Sequence, residues 1–130
     1  MGPAGIVGTV GSVGGAGTTH GPGTRSPVSI DAGAQFKDWN GDSAITVVVP
    51  DPSRPELVAE HEQLSRITEG SLWAGIARLA RAKHLNEVGD AIQGYIELEG
   101  MKVGHRYGIL TDYIGHGIGR SMHAAPPVFN

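Results

Sequence analysis

The strongest constraint on this chain is a change in composition near Arg25. Residues 1–24 contain no Asp, Glu, Lys or Arg, and nine of the 21 glycines of the chain lie among them. Such a segment has little side-chain volume to bury and loses much backbone entropy when it becomes ordered. We therefore predict that residues 1–26 form a glycine-rich, disordered or loosely attached segment, and that residues 27–130 form the folded domain.

Two runs rich in valine and isoleucine follow the glycine-rich segment, and such residues favour β-strands. The turn-forming residues 37–41 separate the two runs. The sequence therefore predicts a β-hairpin of residues 27–36 and 41–49.

A helical pattern replaces the strand pattern after the proline-rich residues 50–55. Apolar residues at helical spacing predict a helix over about 56–81. They are Leu57, Leu64, Ile67, Leu72, Ile76 and Leu79. A second helix is predicted over 87–99, with Asn86 as its N-cap and Gly100 as its end. Residues 103–113 are predicted to form a strand or a pair of strands. The order of hairpin, two helices and strand indicates an α+β domain.

Composition limits the chemistry and the partners of the chain. There is no cysteine, so any metal must be held by oxygen and imidazole ligands. The net charge is −3 without a basic cluster, which argues against direct nucleic-acid binding. No apolar run is long enough to cross a bilayer, and the start lacks the pattern of a signal peptide. We therefore expect a cytoplasmic protein, and the sequence does not specify its oligomeric state.

Two carboxylates lie eleven positions apart, on opposite strands of the predicted hairpin. Because residues opposite each other in a ladder project to one face, this spacing brings Asp31 and Asp42 together. Two adjacent carboxylates repel unless a cation or a shared proton lies between them, and a pair of divalent metals suits that arrangement. The alternative is that Asp42 is a turn residue and Asp31 faces water; spacing alone favours this alternative.

A glycine-rich histidine segment follows near the end of the sequence. His116 has glycine on both sides, which permits close approach of the backbone to a metal or substrate. His123 follows seven positions later and could donate a hydrogen bond to an oxyanion or shuttle a proton. The segment 115–119 is too rich in glycine for a predicted regular element. The alternative is a flexible turn beside two surface histidines, which composition alone favours.

Taken together, four segments resemble type I methionine aminopeptidases. They are residues 29–33 (SIDAG), 39–46 (WNGDSAIT), 107–119 (YGILTDYIGHGIG) and 122–126 (MHAAP). The resemblance extends over residues 28–128 in the expected order. The Gly-Ile-Gly form of the histidine loop disfavours a proline-specific peptidase of the same fold.

The resemblance implies a partial pita-bread fold and the metal-dependent removal of N-terminal methionine from nascent proteins, as they emerge at the ribosome. It implies two divalent metals in a complete site, with Mn, Co, Fe or Zn as candidates. Asp31, Asp42 and His116 match the family's metal ligands, and His123 matches the histidine that contacts the substrate.

Two departures from the family pattern lead to further expectations. The family has two more metal-binding glutamates beyond the His123 motif, whereas this sequence has no acidic residue after Asp112. An upstream catalytic histidine is represented at best by His20, inside the glycine-rich segment. We therefore expect an incomplete catalytic domain that binds one metal ion or none and has doubtful activity. The alternative function is a catalytically inactive pita-bread module that binds a peptide or a partner protein.

Overall fold

A computed structural model describes residues 5–12, 27–110 and 114–129 of the chain. These residues divide between two compact units. The first comprises the described residues up to Gln63 together with Gly117–Ala124, and the second comprises those from Leu64 to His116 together with residues 125–129. No helix in the described parts of the chain is long and apolar enough to span a membrane.

The first unit is built on a three-stranded antiparallel sheet. Its strands are β1 (Gly5–Ser12), β2 (Val28–Phe36) and β3 (Trp39–Val47), which lie side by side in that order. The predicted hairpin is confirmed as β2 and β3, but the predicted five-residue link is wrong. Trp39 and Asn40 belong to β3, so only two residues connect the strands.

The turn between β2 and β3 explains this difference. Lys37 and Asp38 have φ values of 49° and 67°, and positive φ at both positions is what a type I′ turn requires. Such a turn matches the right-handed twist of the flanking strands, so the ladder continues up to the Phe36–Trp39 pair. The turn is harder to recognise from sequence because Lys-Asp lacks the glycine usual in these turns.

Strand β1 lies within the segment for which the sequence predicts no regular structure. Gly5–Ser12 pairs with β2 along its whole length, from Gly5 opposite Gln35 to Ser12 opposite Val28. The expectation of disorder is therefore wrong for these eight residues, because pairing with a neighbouring strand satisfies the backbone of even a glycine-rich segment. The division of the chain at residue 26 stays a prediction.

Both predicted helices are confirmed, as α1 (Pro55–Leu79) and α2 (Asn86–Val103). Before α1, the carboxylate of Asp51 accepts hydrogen bonds from the Ser53 hydroxyl at 2.6 Å and the Arg54 guanidinium at 2.7 Å. These contacts hold the pKa of Asp51 at about 2, below its ordinary value of 3.8. The bend leading into α1 is thus fixed by local polar contacts.

The predicted ends of α2 are wrong. Asn86 is already helical, and its place as N-cap is taken by Leu85. The Glu87 carboxylate instead accepts the backbone N–H groups of Lys83 and His84, both at 3.0 Å, which lowers the pKa of Glu87. Glu87 thus satisfies two backbone donors that precede the helix, while the N–H groups of Glu87 and Val88 in the first turn donate to the His84 and Leu85 carbonyls.

Gly100 does not end α2; it is a buried residue inside the helix. The helix ends at Gly104, whose φ of 66° is left-handed. The Gly104 N–H donates to the Met101 carbonyl, and the His105 N–H donates to the Gly100 carbonyl. This pair of bonds is a Schellman motif, which satisfies carbonyls that a helix end leaves open.

Within the second unit, glycines let α1 approach α2 closely. A Cβ on Gly70 would overlap the Tyr95 ring, and one on Gly75 would lie 2.9 Å from the Ile92 side chain. The buried apolar side chains in the described residues are Ile67 of α1 and Val88 of α2. The apolar stripe of α1 is not covered along its whole length, because Leu72 and Leu79 remain more than half exposed.

The end of the chain differs from the prediction. The strand predicted over 103–113 is wrong, because residues 105–110 have no regular structure; residues 111–113 lie outside the described residues. Instead, β4 (Gly115–Gly117) and β5 (Ala124–Val128) form a two-stranded sheet. The glycine-rich segment can form β4 because Gly115 lies against β5, where a Cβ would be only 3.3 Å from Val128.

Candidate functional site

The hairpin brings Asp31 and Asp42 to one face. Asp31 pairs with Ala44, and Asp42 pairs with Gly33, two residues along β2. The two aspartates are therefore diagonal neighbours, whose Cα atoms are typically about 7–8 Å apart, rather than directly opposite each other. Both residues are exposed. The prediction that the two aspartates lie close together on one face is confirmed, but each lies two residues away from the position directly opposite the other.

The two faces of the β2–β3 hairpin differ in chemical character. The face with the aspartates is polar or has small side chains: Ser29, Asp31, Gly33, Gln35, Asn40, Asp42, Ala44 and Thr46. The opposite face carries Ile30, Phe36, Trp39, Ile45 and Val47, which are between 40% and 67% exposed. Alternation with a period of two thus places both carboxylates on the polar side.

The polar face can supply oxygen ligands for a hard or borderline cation. Two neighbouring carboxylates lose their mutual repulsion when a divalent ion binds between them. Among the described residues, no three His, Asp or Glu side chains form a group that could by itself hold a metal ion. The ligand roles of Asp31 and Asp42 remain predictions.

A loop of the first unit, residues 117–124, is attached to β3 next to Asp42. The carbonyl of Gly119 accepts two hydrogen bonds from Asn40, from the backbone N–H at 2.8 Å and from the side-chain Nδ2 at 2.9 Å. The ring of Trp39 lies beside the loop, and the Arg120 guanidinium stands over it at 5.6 Å from the ring centroid. The sequence prediction missed this attachment because it assigned Trp39 and Asn40 to a turn.

The two predicted site histidines lie in different surroundings. His123 is exposed and belongs to the 117–124 loop, where its carbonyl accepts a hydrogen bond from the Ser121 hydroxyl at 3.1 Å. His116 is half-buried at the centre of β4 and belongs to the second unit. His20 lies outside the described residues. The roles of all three histidines stay predictions.

Comparison with protein families gives one match over nearly the whole chain. The model described as metallopeptidase family M24 matches residues 10–130. The match includes the hairpin, both helices and the histidine segment.

Curated relatives and solved structures agree with this match. Methionine aminopeptidase 1 of Mycobacterium tuberculosis is 41% identical over 99 residues, covering 76% of this chain and 35% of its own length. Methionine aminopeptidase 1 of Bacillus subtilis is 32% identical over 130 residues, covering 95% of this chain and 48% of its own length. The chain therefore spans less than half the length of these relatives.

Two crystal structures resemble the fold. That of methionine aminopeptidase from Rickettsia prowazekii matches with a TM-score of 0.63 and 31% identity, covering 80% of this chain and 38% of the other. That from Thermotoga maritima matches with a TM-score of 0.60 and 31% identity, covering 82% and 38%. These likenesses confirm the predicted α+β class and the partial pita-bread fold.

Proposed function

Because this chain belongs to metallopeptidase family M24, we propose that it serves the metal-dependent removal of N-terminal methionine from peptides. The proposal draws its substrate from the names of the relatives, which are methionine aminopeptidases. The family is one of metallopeptidases, so a divalent metal belongs to its chemistry.

The observation that carries the proposal is the adjacency of two carboxylates on an exposed, polar hairpin face. Asp31 and Asp42 are diagonal neighbours across two hydrogen-bonded strands, which hold their backbones at a fixed separation. Two carboxylates held side by side favour a bound cation. We propose both as metal ligands. His116 is proposed as a third ligand because it matches the family's histidine ligand in sequence.

The chemical types of these donors suit a divalent transition metal. Carboxylate oxygens together with an imidazole nitrogen suit Mn, Co, Fe or Zn, and we propose two ions in a complete site. When bound, such ions supply Lewis acidity and an activated water for hydrolysis. His123, which is exposed on its loop, would contact the substrate and donate a hydrogen bond to the oxygen that becomes negatively charged.

Calorimetric titration with Mn²⁺ or Co²⁺ tests the ligand assignment. Asp42→Asn removes one carboxylate charge at nearly constant volume, and we expect metal affinity to fall by roughly tenfold or more. The matched control is Asp38→Asn, which removes the same charge from the turn of the same hairpin, where asparagine tolerates the positive φ of 67°. Equal affinity in wild type and Asp42→Asn would refute the assignment.

Hydrolysis of a methionyl tripeptide by the metal-loaded chain tests the activity itself. We expect release of free methionine that is lost in Asp42→Asn and retained in Asp38→Asn. Metal binding without any hydrolysis would instead support the alternative of a catalytically inactive module that binds a peptide or partner protein. The cytoplasmic location and the encounter with nascent proteins at the ribosome stay predictions.

A further inference from the structure

Asn40 connects two parts of the first unit that are distant in sequence. Its backbone N–H and its side-chain Nδ2 both donate to the Gly119 carbonyl, at 2.8 Å and 2.9 Å, across 79 positions of sequence. Both residues are half-buried. A carbonyl oxygen has two lone pairs, so one acceptor can satisfy both donors of Asn40.

The position of Asn40 in the sheet explains why it can make these contacts. In the described sheet, β3 is an outer strand with β2 on one side only, so alternate backbone groups point away from the ladder. The Asn40 N–H donates outward to Gly119, and its side chain lies on the same face as Asp42, two residues further along. The residue therefore belongs to the strand of one proposed metal ligand.

A second contact supports the same attachment from the neighbouring residue. A Cβ on Gly119 would lie 3.7 Å from the ring of Trp39, so the glycine backbone passes beside the indole. The Arg120 guanidinium stands over the same ring, at a distance typical of a cation–π contact. Two consecutive strand residues thus hold two consecutive loop residues.

From Gly119 the contacts continue within the loop to His123. The Gly119 N–H donates to the Ser121 carbonyl at 3.1 Å, and the Ser121 hydroxyl donates to the His123 carbonyl at 3.1 Å. Each bond spans two residues, so the segment between Gly119 and His123 is folded onto itself. Fixing the Gly119 carbonyl therefore restricts the backbone that carries His123.

We propose that Asn40 is a positioning residue, which clamps the loop carrying His123 to the outer edge of the strand carrying Asp42. The inference rests on the proposed function for the roles of His123 and Asp42, but the clamp itself stands on the contacts of Asn40. It acts through the Gly119 carbonyl and does not require Asn40 to touch a metal or substrate.

Amide hydrogen exchange followed by NMR tests the clamp without any need for activity. Asn40→Ala removes the side-chain donor, and Asn40→Asp replaces it with an acceptor that repels the Gly119 carbonyl. The Gly119 N–H donates to the Ser121 carbonyl inside the loop, so its exchange reports how often the loop opens. We expect this amide to exchange about fivefold to tenfold faster in both variants, because the loop loses one of the hydrogen bonds that attach it to β3. Exchange of α2 amides should stay unchanged.

Matched variants separate positioning from a general structural effect. Gln35→Ala removes the amide side chain directly opposite Asn40 on the same face and should leave the Gly119 amide unchanged. Asn40→His, whose ring Nδ1–H can occupy the position of Nδ2, should restore slow exchange. Unchanged exchange at Gly119 in Asn40→Ala and Asn40→Asp would overturn the clamp, and so would an equal acceleration throughout α2.

Metal titration and kinetics distinguish this inference from the proposed function. Asn40→Ala should bind Co²⁺ as tightly as wild type, because both aspartates remain, while kcat for a methionyl tripeptide falls about tenfold and recovers in Asn40→His. Unchanged kcat in an active chain would refute the role in positioning His123. Absence of metal binding in wild type would refute the proposed function, whereas the exchange result would still decide the clamp.

Discussion

The end of α2 offers a sharp test of how closely its last turn is packed. Gly100 is a buried residue inside the helix, and a Cβ added there would lie 2.5 Å from the carbonyl oxygen of His105. Ordinary contact begins at 3.4 Å, and the obstructing atom is backbone, so it cannot rotate away. Gly94 lies in the same helix, is exposed, and has no atom within 4 Å of its added Cβ.

Because their surroundings differ, we expect the same glycine-to-alanine substitution to raise the free energy of unfolding at Gly94 and to lower it at Gly100. Gly94→Ala should stabilise the chain by up to about 1 kcal/mol, because alanine has the higher helix propensity. Gly100→Ala gains the same propensity but must displace the His105 carbonyl, and overpacking of this kind costs roughly 1–3 kcal/mol. The displacement also weakens the 2.9 Å bond from the His105 N–H to the Gly100 carbonyl, a further ~1 kcal/mol.

Urea unfolding followed by circular dichroism measures the difference. We expect Gly100→Ala to be less stable than Gly94→Ala by roughly 2–4 kcal/mol, which separates the two midpoints by about 1 M or more at ordinary m-values. Because both variants change glycine to alanine in one helix, effects on the unfolded chain largely cancel. Equal stabilisation by the two substitutions would refute the tight packing inferred for this turn.

Two further predictions concern the ends of the helices. Gly104→Ala places a side chain at a φ of 66° and should destabilise the chain by about 1 kcal/mol, while Gly104→Asn should cost less, as the urea midpoint will report. Contacts from Ser53 and Arg54 lower the pKa of Asp51 to about 2, so its contribution to stability is fully present above about pH 4 and is lost as pH falls through 2. The stability difference between wild type and Asp51→Asn should accordingly be constant above pH 4 and shrink in acid.

Local patterns were sufficient to predict the hairpin and the adjacency of its aspartates. Alternating residues specify the strands, and the spacing of Asp31 and Asp42 requires only that a turn lie between them. Direct opposition of the two aspartates would centre the hairpin between Phe36 and Lys37, whereas the observed ladder is centred between Lys37 and Asp38. This difference moves the partner of each residue by two positions along the opposite strand. Because side chains alternate between faces with a period of two, Asp31 and Asp42 still lie on the same face.

Contacts between distant segments could not be read from the sequence. Nothing local indicates that Asn40 meets Gly119, since Asn-Gly reads equally well as a turn. Gly100 and Gly104 are both plausible helix ends, and only the approach of His105 to Gly100 distinguishes a packed glycine from a left-handed one. Strand β1 was missed because a glycine-rich segment carries no strand propensity of its own; a partner strand supplies its hydrogen bonds.

The proposed metal site depends on the register between β2 and β3 more than on any other feature. A slip of one residue would move Asp42 to the apolar face beside Trp39 and leave Asp31 alone on the polar face. Three features near the tip oppose such a slip: the turn with positive φ at both positions, the Phe36–Trp39 pair, and the bonds from Asn40 to Gly119. The contact proposed to position the His123 loop therefore also holds the strand that carries Asp42, so Asn40, two positions after the turn, serves both parts of the candidate site.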